Sequence, residues 1–128
     1  MRFTHLLVIV AIALACEDTH QMSQEEELQE IERMREEIAS ISLSETCTNE
    51  EDWSYVGIGH KACGGPAEYV AYSILIDVDG FESLIEEYTI AQMEYNKRWG
   101  IGSDCSIINP PSGVTCQEGE PVLVYNNQ

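Results

Sequence analysis

Five cysteines constrain this chain of 128 residues more than any other feature. Cys16 directly follows an unbroken apolar run, whereas the other four lie in the region that carries strand and helix patterns. An odd cysteine in a secreted protein needs an explanation such as a partner chain or a modification. The sequence therefore predicts a small domain held by two disulfides, with Cys16 set apart from it. The four domain cysteines are Cys47, Cys63, Cys105 and Cys116.

The first fifteen residues have the layout of a signal peptide. Arg2 supplies a short basic region, and Leu6 to Ala15 form an apolar run that is too short to span a membrane as a helix. Ala13 to Ala15 fit the Ala-x-Ala motif of a signal-peptidase site or, together with Cys16, a loose lipobox in which alanine replaces the usual leucine. Because lipidation of Cys16 leaves an even number of cysteines, we expect residues 1–15 to be removed and Cys16 to carry a diacylglycerol. Simple secretion is the alternative.

The residues after Cys16 predict a tether outside the cell. Glu17 and Asp18 resemble the signal with which one group of Gram-negative bacteria sends lipoproteins to the outer face of the outer membrane. The segment from Glu17 to Gln24 is polar and has no period, which is typical of a flexible spacer. We therefore expect an outer-membrane lipoprotein that is exposed at the cell surface.

The charge of the chain argues against two classes of partner. The sequence has 23 acidic and 6 basic residues, which gives a formal net charge of −17. So acidic a chain cannot neutralise phosphates and is repelled by anionic lipid head groups. We therefore expect no nucleic-acid partner, and attachment to the membrane only through acyl chains.

Residues 16–46 are predicted to form an acidic tether followed by a helix. Ser23 and Glu26 have capping-box spacing, and apolar residues then recur every three or four positions, which predicts a helix over residues 24–41. The apolar stripe is narrow, so it fits either a stalk that pairs with a partner or a helix that lies on the domain by one edge. We expect a partly detached stalk. The stripe consists of Leu28, Ile31, Met34, Ile38 and Ile41.

The region of residues 47–128 begins with two strand signals. Alternating aromatic residues predict a strand over Asp52 to Gly57, and the glycine-rich segment from Gly57 to Pro66 predicts a loop. The β-branched and aromatic run from Tyr69 to Ile76 is the strongest strand signal in the chain.

A long core helix follows these strands. Asp79 and Glu82 begin it with a second capping-box pattern, and Gly100 ends it. Weaker signals then predict a strand at 106–108, a Pro-Pro turn at 109–113 and a last strand at 121–125. This order predicts an α+β domain, in which an antiparallel sheet of three or four strands is covered on one face by the core helix.

Several short blocks resemble a family of small bacterial predicted lipoproteins and secreted proteins that has no assigned activity. The resemblance covers about residues 47–125. It implies a domain type and a cell-envelope location but no chemistry. The blocks are Lys61 to Pro66 (Lys-Ala-Cys-Gly-Gly-Pro), Tyr69, Ala71 to Ser73, Tyr95 and Asn96, Trp99 and Gly100, Ser103 to Cys105, Pro110 with Pro111, and Cys116.

The four domain cysteines allow three pairings. We expect Cys47 to pair with Cys63 and Cys105 with Cys116, because each of these pairs encloses a short loop. A zinc site needs close ligand pairs such as Cys-x-x-Cys, and the sequence has none. The cysteines therefore predict disulfides and no metal centre.

No recognised catalytic motif occurs in the chain, and the histidines of the mature part, His20 and His60, have no marked partner. The run from Asp77 to Gly80 (Asp-Val-Asp-Gly) invites a calcium interpretation, but the spacing lacks one ligand before the glycine. A strand end followed by a helix cap at Asp79 explains the run more simply. We therefore expect no enzyme, no metal and no cofactor.

Aromatic residues are the remaining functional signal. They predict either an exposed surface that recognises a protein or a glycan, or tyrosines that pack with their hydroxyls at the surface. The leading hypothesis is a non-enzymatic binding or structural module of the cell envelope. The alternative is a small secreted protease inhibitor that acts through the Gly57 to Pro66 loop or the Cys105 to Cys116 loop, and a carboxylate hydrolase is a third. The aromatic residues are Trp53, Tyr55, Tyr69, Tyr72, Tyr88, Tyr95, Trp99 and Tyr125.

Overall fold

The structure is a computed structural model, and it describes residues 21–126. The predicted signal peptide, the predicted lipidation site Cys16 and His20 lie outside the described residues. In residues 21–126 no helix is both long enough and apolar enough to cross a lipid bilayer.

Two long helices begin and end at local signals. Helix α1 (Gln24–Ser42) starts at the predicted capping box, in which Ser23 Oγ accepts a hydrogen bond from the Glu26 amide and the Glu26 carboxylate accepts one from the Ser23 amide. Helix α2 (Val78–Trp99) ends at Gly100, which has the left-handed φ of 63° that favours glycine.

The cap of α2 is Asp77 rather than the predicted Asp79. The Asp77 carboxylate accepts a hydrogen bond of 3.2 Å from the Gly80 amide, at the third position of the helix. A Cβ at Gly80 would collide with this carboxylate, which explains the glycine. Asp79 instead lies in the first turn of α2.

Four strands form two antiparallel sheets. Strand β1 (Trp53–Ile58) follows a short 3₁₀ helix and pairs with β2 (Glu68–Ser73), whereas β3 (Gly113–Gln117) pairs with β4 (Glu120–Val124). The α+β class is therefore confirmed. The single sheet of three or four strands is wrong, because the chain builds two separate two-stranded sheets. The predicted strand at 106–108 is also wrong, since residues 100–111 have no regular secondary structure.

The β1–β2 sheet is the middle of three layers. One face carries Val56, Ile58, Val70 and Tyr72, which belong to the core formed with α1 and α2. The other face carries Trp53 and Ala71, which pack with Cys47 and with residues of β3 and β4. The alternation of side chains along a strand thus gives each strand one helix-facing row and one sheet-facing row.

Helix α1 packs on the domain, so the expected detached stalk is not confirmed. Ile38 is fully buried, and Ile31 and Met34 are also buried in the core cluster that contains Phe81 and Tyr88 of α2. The partner that the narrow apolar stripe covers is therefore α2, within the same chain.

Polar contacts reinforce this packing. Arg35 of α1 donates two hydrogen bonds, of 2.7 and 3.0 Å, to the Glu68 carboxylate of β2. Near the other end of the helix, the Glu27 carboxylate accepts a hydrogen bond of 2.7 Å from Trp99 Nε1 and pairs with Arg98. The start of α1 therefore lies beside the end of α2.

Two disulfides are present, but the predicted pairing is wrong. The bridges join Cys47 to Cys116 and Cys63 to Cys105, with Cα atoms 5.3 Å apart in each. The prediction paired cysteines that are neighbours in sequence. The layered fold instead brings the segment before β1, with Cys47, next to β3, with Cys116. It also brings the loop after β1, with Cys63, next to the segment after α2, with Cys105. Both bridges are consequently long-range, with sequence separations of 69 and 42.

Candidate functional site

Two loops meet at one end of the molecule. The glycine loop (residues 59–67) connects β1 to β2, and the braced loop (residues 100–111) connects α2 to β3. The Cys63–Cys105 disulfide joins them. The Lys61 side chain, only 15% exposed, adds three hydrogen bonds across the junction, to Asp104 Oδ1 (2.8 Å), the Ser106 carbonyl (2.7 Å) and Ser106 Oγ (2.9 Å). The first part of the braced loop is therefore held by one covalent and three polar links.

The glycine loop is itself fixed to α2 by side chains that recur at helical spacing. Thr89 Oγ1 accepts from the Gly59 amide at 3.2 Å, Gln92 Oε1 accepts from the His60 amide, and Asn96 Nδ2 donates to the His60 carbonyl at 2.8 Å. Gly59 has a φ of 71°, and a Cβ there would collide with the Gln92 side chain. The loop end thus has a rigid base on the core helix.

Sequence reasoning missed these three side chains of α2. The positions of Thr89, Gln92 and Asn96 repeat every three or four residues, next to the apolar face, where a polar residue on a helix usually faces solvent. The only available signal was their spacing, which is the spacing of one helical face.

The far end of the braced loop is also fixed. Pro111 is buried, and the Ser112 amide donates a hydrogen bond of 2.7 Å to the Val124 carbonyl of β4. Between the two fixed ends, Ile107 is 90% exposed. It is the most exposed of the large hydrophobic side chains in residues 21–126. The loop therefore presents one aliphatic side chain from a restrained backbone.

More apolar surface lies at the loop end. Ile107 and Ile108 line a pocket of about 180 Å³ beside the disulfide, together with Lys61 and Pro66. On the α2 side, Met93 and Ile101 are exposed and line a shallow hollow with His60, Asn96 and Lys97. The loop end thus has an aliphatic surface rather than an aromatic one.

The charge of the two loops differs from that of the rest of the chain. Residues 57–67 contain no acidic residue, and residues 100–113 contain only Asp104, which pairs with Lys61. The formal charge of the chain is −17. An uncharged partner surface that covers these two loops would therefore remove water from few carboxylates, which keeps the desolvation cost of binding low.

The local hydrogen bonds also shift a titration. The hydrogen bond from Lys61, followed by bonds from the Ser106 amide and hydroxyl, lowers the pKa of Asp104 to about 2. The next residue, Cys105, has a positive φ of 55°. A non-glycine residue seldom adopts this conformation, so the surrounding bonds and the disulfide hold the turn in a specific geometry.

The residues considered for catalysis and metal binding are placed as follows. His60 uses its backbone to anchor the glycine loop, and within residues 21–126 no hydrogen bond joins its imidazole to a serine or cysteine. All four cysteines of this part of the chain form disulfides. Across the described residues no group of three His, Cys, Asp or Glu side chains has the arrangement of a metal site.

The aromatic residues lie mostly inside the fold. Trp53, Tyr88 and Tyr95 are buried. Tyr55 and Tyr69 are half-buried and contact each other edge to face, with ring centroids 6.2 Å apart. Packing in the two hydrophobic clusters therefore accounts for most of the aromatic residues.

A second concave region lies between α1 and α2. It has a volume of about 170 Å³ and is lined by Met22, Ile31 and Tyr95, with Glu27 and Arg98 at its edge. Glu27 already pairs with Arg98 and accepts from Trp99 Nε1. Glu27 and Arg98 therefore serve helix packing, and the loop end is the better candidate for a functional site.

Comparisons with known proteins give no relative: no family model matches the chain, and no curated protein or solved structure matches it significantly. The resemblance to small bacterial lipoproteins and secreted proteins stays a prediction. The geometry of the loop end consequently provides the basis for a proposed function.

Proposed function

We propose that this chain is a non-enzymatic binding module of the cell envelope that docks onto a protein partner through the braced loop. The observation that carries the proposal is Ile107, an aliphatic side chain that is 90% exposed on a loop fixed at both ends. An isolated exposed isoleucine is common on protein surfaces. A restrained backbone beneath it supports binding, because a preorganised loop loses little conformational entropy when it docks.

The surface chemistry favours a protein over a glycan. Glycans and other polar ligands need a row of hydrogen-bonding groups, whereas the large exposed hydrophobic side chains of the loop end, Ile107, Ile101 and Met93, offer none. An aliphatic centre surrounded by polar groups is the usual anatomy of a protein–protein contact. Lys97 and Asn96 beside the hollow can supply such polar contacts.

The proposed location follows from Cys16. If Cys16 is acylated, the eight residues to Gln24 limit the start of α1 to about 28 Å from the lipid surface. The start of α1 lies beside the end of α2, where the braced loop begins. The partner is then a protein that is reachable close to the membrane. Labelled fatty acid should enter the wild type and not Cys16→Ala, and an unlabelled, soluble wild type would contradict the anchor.

The docking proposal is tested by capture with matched variants. The mature chain is immobilised and exposed to envelope extract from the organism that encodes it. Ile107→Asp should lose the captured protein. Leu75→Asp is the control, because Leu75 is 67% exposed in the turn before α2, about 30 Å along that helix from the braced loop. Equal capture by both variants would show that the braced loop is not the docking surface.

A further inference from the structure

We infer that the partner of the braced loop is an endopeptidase, and that Ile107 fills the pocket that selects the residue before the scissile bond. This inference rests on the proposed docking function and names the class of partner for the same site. It is carried by the backbone of the loop, by the shape and charge of its exposed part, and by the position of the restraints on either side of Ile107.

The backbone after Ile107 is restricted to extended conformations. Asn109 and Pro110 each precede a proline, and a residue before proline is disfavoured in the helical region. Pro110 and Pro111 also have a fixed φ near −65°. Peptidase clefts bind their substrates as extended chains, by the same strand-like addition that other peptide-binding clefts use. The segment from Asn109 to Pro111, on the C-terminal side of the proposed scissile bond, is thus restricted to the extended conformation that such a cleft accepts.

The exposed part of the loop requires a concave and apolar partner. Ile107 projects from the loop at 90% exposure, so burying it needs a pocket in the partner rather than a flat surface. The only acidic residue of the braced loop, Asp104, is neutralised by Lys61. An apolar pocket is therefore the complement that this loop fits, since no unpaired carboxylate of the loop would be buried with Ile107.

The restraints lie on both sides of the Ile107–Ile108 peptide bond. On one side, Cys105 is bonded to Cys63 and Ser106 is bonded to Lys61. On the other side, Ile108 is half-buried, Pro111 is buried, and the Ser112 amide donates a hydrogen bond to the Val124 carbonyl. A loop held in this way cannot relax away from a catalytic centre as an ordinary substrate does. It would occupy the cleft without rapid release.

The structure also selects between the two loops that could act as an inhibitor. The exposed residues of the glycine loop are Ala62, Cys63, Gly64 and Gly65, and the largest free side chain among them is the single methyl group of Ala62, which is too small to fill a large aliphatic pocket. The glycine loop therefore supports the braced loop from behind and leaves Ile107 as the residue that is recognised.

The experiment uses the purified mature chain against serine endopeptidases that cleave after aliphatic residues and against one that cleaves after lysine. The wild type should inhibit a peptidase of the first kind, and Ile107→Asp should weaken this inhibition roughly 30-fold or more, as for a central contact residue. Ile107→Lys should move inhibition to the lysine-specific peptidase. Leu75→Asp should inhibit like the wild type.

The change of specificity in Ile107→Lys is the decisive measurement, because a purely structural role of Ile107 would not produce it. Rapid cleavage between Ile107 and Ile108 without inhibition would overturn the inference, as would inhibition that no Ile107 variant alters. If envelope capture depends on Ile107 but no peptidase is inhibited, this inference fails and the docking function stands. If capture and inhibition are both independent of Ile107, both proposals fail.

Discussion

The two disulfides lie in regions with different physical roles. Cys47–Cys116 lies in the layered body, where Cys47 is 3% exposed and packs with Trp53 and Ala71. Cys63–Cys105 lies at the loop end, where both cysteines are exposed and the bridge covers a pocket. The distance between the two Cα atoms is the same in both bridges, so the bridges differ in their surroundings and not in this distance. One bridge holds a core together, and the other fixes the shape of a surface.

This contrast separates stability from recognition. The body contains both buried clusters, and every helix and strand contributes to it. The loop end contains no regular secondary structure and is fixed by one disulfide, by Lys61 and by three side chains of α2. Changes in the body should therefore alter the free energy of unfolding, whereas changes at the loop end should alter binding more than unfolding.

The largest expected effect comes from removing α1. Deletion of residues 17–42 removes Ile31, Met34 and Ile38 from the core and exposes the face of α2 that they cover. Each lost aliphatic side chain alone is worth about 2 to 5 kcal/mol, so the sum approaches the whole stability of a small domain. We expect no cooperative melting transition in circular dichroism. A melting temperature like that of the full chain would instead support the hypothesis that α1 is a detached stalk.

The second effect is removal of the body disulfide. Cys47→Ala with Cys116→Ala opens a bridge with a sequence separation of 69, which costs about 4 kcal/mol in the chain-entropy model. The cluster around Trp53 also loses the sulfur atoms of Cys47, which is buried, and of Cys116, which is partly buried. The free energy of unfolding from urea titration should fall accordingly. Leu43→Ala, which keeps both disulfides, is the control. Because the Leu43 side chain is 61% exposed, the urea midpoint of this variant should stay nearly unchanged.

The third effect is removal of the loop disulfide. Cys63→Ala with Cys105→Ala should cost somewhat less: the shorter loop lowers the chain-entropy cost by only about 0.4 kcal/mol, and the two exposed cysteines take no buried contacts with them. Binding through the braced loop should suffer more than it does in the Cys47→Ala, Cys116→Ala variant, when both are assayed at a temperature where they are folded. Equal losses of binding in the two variants would contradict the claim that the loop disulfide serves binding and the body disulfide serves stability.

The sequence predicted the features that are decided locally. The capping box of Ser23 and the stop at Gly100 depend on residues within one helical turn, and both are confirmed. The hairpin of β3 and β4 was missed in part, because its turn residues Glu118 and Gly119 both have positive φ without the usual Asn-Gly or Asp-Gly signal. Glutamate at the first of these positions gives no such indication.

The features that were not predictable depend on contacts between distant segments. The disulfide pairing was wrong because the closeness of Cys63 to Cys105 follows from how the glycine loop lies on α2, which no short sequence window contains. The braced loop was predicted to contain a strand for the same reason. Its conformation is set by Lys61, which is 43 residues away from Asp104.

The smallest effect is a titration that tests how firmly Lys61 holds the braced loop. The folded state lowers the pKa of Asp104 to about 2 from an ordinary value of 3.8, chiefly through the Lys61 hydrogen bond. Ionised Asp104 therefore contributes stability that is present above about pH 4 and is lost as the pH falls through about 2. The carboxyl carbon of Asp104, followed by NMR, should titrate near pH 2 in the wild type and closer to 3.8 in Lys61→Met. Ile107 signals should broaden in Lys61→Met while those of Ile38 stay unchanged. If Asp104 titrates at its ordinary value in the wild type, the Lys61 contact does not restrain the loop, and the disulfide alone must do so.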